Sequence, residues 1–127
     1  MTTNAQASQP VVAFLEQAAR AMFPEQGDRP IDVRSKSAAG DTALHMAALW
    51  GDAAAVEQLL RAGAFVDEPG AGGRSPLYYA ALEGHVGVAE RLVAAGADPD
   101  LVVDIGMSCR DVASQREDQR LMELFEA

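Results

Sequence analysis

His45 lies four residues after Asp41 and seven before Asp52. A histidine between carboxylates is the usual material of a general acid–base site. Ser108, with Asp111 three residues on, could supply the nucleophile and third member of a triad with His45, given the right fold. Cys109 is a second nucleophile; at a helix start its thiol pKa is expected slightly below the ordinary value, but no base accompanies it. Asp98, Asp100 and Asp104 in "DPDLVVD" have a calcium-like look, yet they lack the glycine and terminal glutamate of a twelve-residue calcium loop. "GAGG", Gly70 to Gly73, is glycine-rich like a phosphate cradle, but no lysine follows it and no strand is expected before it. Two histidines, one cysteine and scattered carboxylates give no metal-ligand spacing. These residue types therefore assemble into no catalytic, cofactor or metal site, and the three aspartates read as loop and turn formers.

What positions these residues is a repeat. Gly40, Gly73 and Gly106 are 33 apart, as are Thr42, Ser75 and Ser108, and Ala47, Ala80 and Ala113. "GDTALHMAALWGD" returns as "GRSPLYYAALEGH", and "LLRAGAFVD" as "LVAAGADPD". Such a period marks a solenoid of stacked units. Within each unit the pattern predicts two short helices. Thr42 and Ser75 are good N-caps, and Pro76 suits a first helical turn. Gly51 and Gly84 permit the turn between helices. Val56, Leu59 and Leu60 and then Val88, Leu92 and Val93 give the second helices an apolar face, and Gly63 and Gly96 are expected to end them in the left-handed conformation. His45, Ser108 and Asp111 fall on equivalent frames of different units, which argues against the triad.

"TALHMAA" (Thr42–Ala48), "SPLYYAA" (Ser75–Ala81) and the degraded "SCRDVAS" (Ser108–Ser114) resemble the ankyrin repeat, with its 33-residue period and T-P-L-H-x-A signature. The resemblance covers about residues 31–125. It implies an all-α ankyrin-repeat solenoid with no enzymatic activity and no cofactor, in which His45 bonds backbone between neighbouring loops. The expected organisation is a flexible stretch over 1–9, an N-terminal helix and linker over 10–36, repeat one over 37–69, repeat two over 70–102 and a degenerate capping repeat over 103–127. In the last, Glu117 replaces the turn glycine, and Leu121, Met122 and Phe125 are the expected inward residues. Val11, Val12, Phe14, Leu15, Ala18, Ala19 and Met22 form one helical stripe, starting near Ser8 and Pro10. It reads as a capping helix over repeat one, with a partner-binding helix as the alternative.

An ankyrin array uses most positions for turns and packing. The resemblance leaves Ala39, Asp41, Leu49 and Trp50, then Gly72, Arg74, Leu82 and Glu83, then Ile105, Met107, Gln115 and Arg116 for a protein partner. Trp50, the one tryptophan, is either a binding anchor or a packing residue against the N-terminal helix. Residues 1–39 hold four basic and four acidic residues, whereas 40–127 hold six basic and fifteen acidic, the whole of the net charge of -9. That charge disfavours nucleic acid and anionic membranes and favours a basic protein, although it could serve solubility alone. A lone cysteine fits a reducing compartment; with no secretory signal at the start and no run long enough to cross a bilayer, a cytoplasmic protein is expected. "IDVRSKSAAGDTALHMAALWGD" resembles small bacterial ankyrin proteins with a helix ahead of the repeats, some of which are immunity proteins. The implied partner is a basic toxin domain; a regulatory or scaffolding adaptor is the alternative. The free chain is expected to be a monomer, with pairing through the Trp50 surface as the other outcome.

Overall fold

The computed structural model describes residues 2–25 and 31–126, with side chains from Val11 onward. The five residues 26–30 of the expected linker thus lie outside the described residues. Among the described residues the regular structure is helical: α1 (Thr2–Met22), α2 (Ala43–Trp50), α3 (Ala53–Arg61), a short 3-10 turn (Ala71–Gly73), α4 (Pro76–Glu83), α5 (Val86–Ala94), α6 (Cys109–Arg116) and α7 (Gln119–Glu126). The helices pair as α2/α3, α4/α5 and α6/α7. The first members stack as α2–α4–α6 and the second members as α3–α5–α7.

The local reasons recur at the 33-residue interval. Ser75 caps α4 by accepting from the Tyr78 N–H at 3.1 Å. Ser108 accepts from the Asp111 N–H, and Asp111 returns the favour by accepting from the Ser108 N–H at 2.9 Å, a reciprocal box that satisfies two orphan donors. Each first helix ends in the same double hydrogen bond. Gly51 and Gly84 sit there at φ +75° and +73°, and Glu117 is held in the same left-handed region at φ +55°. The pair after Gly51 runs from the Asp52 N–H to the Ala47 carbonyl and from the Gly51 N–H to the Ala48 carbonyl; the Asp118 and Glu117 N–H groups repeat it on Ala113 and Ser114. The degenerate repeat therefore keeps the turn and bears the strain of a Cβ in it.

Between units the chain makes three matching tips. The N–H of Ser37, Gly70 and Val103 donates to the carbonyl of Asp41, Arg74 and Met107 at 2.8, 2.7 and 2.8 Å. Leu44, Leu59, Leu77, Leu92 and Leu121 are fully buried between layers, each worth about 1.5–3 kcal/mol of transfer free energy. Ala43, Ala47, Ala48, Ala80, Ala81 and Ala113 are fully buried between the first helices, where a larger side chain would push the layers apart. Leu121 and Phe125 point into the last layer, while Met122 is only half-buried.

α1 packs on α2 and α3 through Phe14, Ala18 and Met22. It stands where the second helix of a preceding unit would stand and covers the side of repeat one. It begins at Thr2, so the helix takes in residues 2–9, which the sequence suggested would be a flexible stretch ahead of a cap at Ser8. Pro10 sits inside this helix rather than at its start.

Two substitutions test the turn chemistry. Glu117→Gly should raise unfolding free energy by about 0.5–1 kcal/mol by relieving the left-handed residue. Gly51→Ala should lower it by at least about 1 kcal/mol, since a Cβ there would also lie 2.8 Å from the His85 ring. Urea titrations of both variants read the two signs directly.

Candidate protein-binding face

The free positions are only free if the neighbouring unit does not use them, and several are used. Asp41 is 8% exposed. Its Oδ1 accepts from the Ala71 N–H at 2.9 Å, and the Tyr79 hydroxyl donates across both oxygens at 3.1 and 3.2 Å. Asp41 is therefore a clamp between repeats one and two and not a side chain left for a partner. The sequence reading missed this because the position is not periodic: its equivalents are Arg74 and Met107. The fit shows only in the structure, where a side chain at Gly70 would run into Asp41 and come within 2.7 Å of His45 Nε2.

His45 completes the clamp and keeps the backbone-bonding role that the resemblance implied. The Thr42 N–H donates to its Nδ1 at 2.9 Å. With Nδ1 accepting, the ring proton sits on Nε2, which donates to the Arg74 carbonyl at 3.0 Å. The ring is fully buried and meets Tyr79 edge-on at 5.7 Å. Burial away from water holds the His45 pKa below its ordinary value, against the opposing pull of Asp41 and Glu68. Burial, together with the Asp41 charge, raises that of Tyr79. The nearby Arg74 charge opposes that rise.

The second joint uses other chemistry for the same need. The Leu49 carbonyl, at the end of α2, lies 3.1 Å from His85 Nε2. One unit on, the Leu82 carbonyl accepts from Arg116 Nη1 at 2.9 Å. Arg116, expected to be a contact residue, is thus committed at least in part to stacking. Trp50 is 40% exposed and packs edge-on against Phe14 of α1 at 5.7 Å, so it serves the cap and still shows an apolar edge. Leu82, Glu83, Gln115, Ala39 and Ile105 are exposed, whereas Leu49 and Met107 are half-buried. The face that remains runs from Trp50 over Leu82 and Glu83 to Gln115.

Cys109 is buried at the start of α6. Burial pushes its thiol up to about 12, the reverse of the lowering expected from the helix N-terminus, because desolvating the thiolate outweighs the dipole. Among the described residues no group of three or more His, Cys, Asp and Glu could hold a metal ion, and no helix is long and apolar enough to cross a membrane.

A family model described as ankyrin repeats, in three copies, matches residues 12–102, well over half of the chain. The chain belongs to the ankyrin-repeat family. The match begins inside α1, in keeping with that helix standing in for part of a repeat, and ends before the degenerate third unit, whose helices the structure nevertheless stacks in register. No curated protein matches the chain. Ankyrin repeats are protein–protein interaction modules, and this one is a helical solenoid.

The clamp sets a pH dependence. A histidine whose folded pKa lies below the unfolded 6.5 gives its full stabilisation above that value and loses it as pH falls toward the folded pKa. Wild-type melting temperature should therefore drop between pH 7.5 and 5.5, and His45→Gln, although less stable, should show a shallower slope in calorimetric melts. Cys109 should resist iodoacetamide at pH 8 in the native protein and react once the chain is unfolded, read by mass spectrometry.

Proposed function

We propose that this ankyrin protein is a non-catalytic, cytoplasmic, monomeric binder of a basic protein partner, using the Trp50–Leu82–Glu83–Gln115 face and the loop tips. The finer form of this reading is an immunity protein that neutralises a basic toxin domain, such as a nuclease, by covering its active surface. The observation that carries it is the state of the charges. Several cations are exposed but engaged: Lys36 pairs with Glu68, Arg91 with Glu57 and Arg110 with Asp100, while Arg34 lies over the Phe65 ring at 4.3 Å and Arg116 is tied to Leu82. Glu83, Asp104 and Glu117 stay exposed on a chain of net charge -9. Acidic side chains left over in this way repel polyanions and speed the capture of a basic surface. Trp50 and Leu82 supply the apolar centre around which such a rim is useful.

Affinity capture with the immobilised chain from its source cells should recover a basic protein, and recovery of a single acidic one instead would overturn the proposal. Against the recovered partner, the double variant Leu82→Ser with Glu83→Lys should bind at least about tenfold more weakly with an unchanged melting temperature, since both positions are exposed. Unchanged affinity in calorimetry would move the site off this face. Wild-type affinity should also fall as salt rises from 50 to 300 mM.

A further inference from the structure

The loop that enters the third unit carries more exposed apolar residues than the one before it, where Phe65, 54% exposed, lies under Arg34. Leu101, Val102 and Ile105 are 40%, 63% and 70% exposed. Their equivalents are Glu68, Pro69 and Gly72 in repeat two and Ser35, Lys36 and Ala39 in repeat one, none of them a large apolar residue. The helices of the same unit went the other way: Gln115, Arg116, Glu117, Gln119 and Arg120 make it polar. So the end of the array is wet along its helices and greasy along its loop. Three apolar side chains within five residues, on a tip fixed by the Val103–Met107 and Gly106–Val103 hydrogen bonds, are not explained by capping.

The register of the loops says what geometry would cover them. Each tip offers acceptors to the next: the Asp41 carboxylate takes the Ala71 N–H, the Asp67 carboxylate takes the Asp98 N–H, and the Gly72 carbonyl takes the Asp104 N–H. The main-chain bond of this kind occurs once; one unit on, the Gly72 position becomes Ile105, whose carbonyl takes no backbone N–H among the described residues. An extended segment laid along this edge would donate there as a further strand donates to a sheet edge. The charge says what that segment carries. Asp98, Asp104 and Asp111 are exposed in the same stretch, Asp98 and Asp111 also accepting from the Asp100 and Ser108 N–H groups, and its one cation, Arg110, is taken by Asp100.

We propose that the terminal tip, Asp98 to Asp111, is a docking edge for an extended partner segment that alternates basic and apolar residues. Its apolar side chains lie on Leu101, Val102 and Ile105, and its lysines or arginines meet Asp98, Asp104 and Asp111. A second copy of this chain is the poorer occupant, because it would bring the same three carboxylates against themselves. The proposal deepens the partner-binding reading and rests on it, naming the last of the loop tips and the kind of segment it takes.

The test uses the full chain, isotope-labelled, with the peptide acetyl-Lys-Val-Lys-Val-Lys-Val-amide as the probe. Amide shifts should concentrate in residues 98–107. Fluorescence anisotropy should show binding at least about tenfold weaker for the Lys-Ser and Glu-Val versions of the peptide and for Val102→Ser with Ile105→Ser, two exposed sites that leave the fold intact. Shifts centred on Trp50 and Leu82, or no binding at millimolar peptide, would overturn the edge while leaving the helix-face proposal standing. Loss of affinity at Leu82 and Glu83 with none at the tip, measured on the captured partner, would have the same meaning. Concentration-dependent dimers in sedimentation, abolished by Ile105→Ser, would assign the edge to a second copy and overturn the basic segment.

Discussion

No unit of this solenoid can satisfy its own polar groups, and that constraint shapes the rest. The last carbonyls of a helix have no partner within it. Here Leu49 gives its carbonyl to His85 and Leu82 gives its carbonyl to Arg116, each from the next unit. The tips do the same through Asp41, His45 and the Gly72 carbonyl. A buried polar group without a partner costs about 1–3 kcal/mol, so stacking is enforced by hydrogen bonds as well as by the leucine layers. No buried side-chain nitrogen or oxygen among the described residues is left without a partner. Because those bonds cross between units, cooperativity passes through the joints, as expected of a quasi-one-dimensional array.

This explains which parts of the structure were legible in the sequence. Whatever belongs to a unit by itself repeats every 33 residues and can be read: the Ser75 cap, the turn glycines, the leucines of the second helices, whereas the Thr42 hydroxyl, read as a cap, lies against the His45 ring. Whatever belongs to a joint need not repeat, because different chemistries do the same task. His85 and Arg116 serve equivalent carbonyls from positions that are not equivalent in the repeat. Asp41 has a clamp role with no counterpart at Arg74 or Met107. A free-looking position was therefore read as surface when it was an inter-unit bond. Cys109 failed for a related reason: its helix terminus was visible, but its burial under repeat two was not. The start of α1 was misplaced because a cap signal at Ser8 and a proline at position 10 outweighed the polar residues before them, which the structure also holds in helix.

The two ends of the array solve the same problem differently. At the front, α1 fills the place of a missing second helix, and Phe14 closes on Trp50. That contact limits how far Trp50 can act as an anchor, since a partner reaching it meets the cap as well. Packing and recognition thus compete for one side chain at the front and separate toward the back, where Leu82 and Glu83 have no covering element.

At the back no further helix among the described residues covers the third unit, and the unit itself changes. Glu117 accepts a left-handed backbone that glycine would adopt at less cost. In exchange for that strain the turn carries an exposed carboxylate. Had solubility been the sole demand, the neighbouring tip would show the same polar drift, since an exposed edge is normally blunted with charge. Instead Val102 and Ile105 face water beside three aspartates. Polar helices and an apolar tip in one unit are hard to reconcile as a simple cap. They fit a unit whose helices end the array and whose loop continues it with another chain.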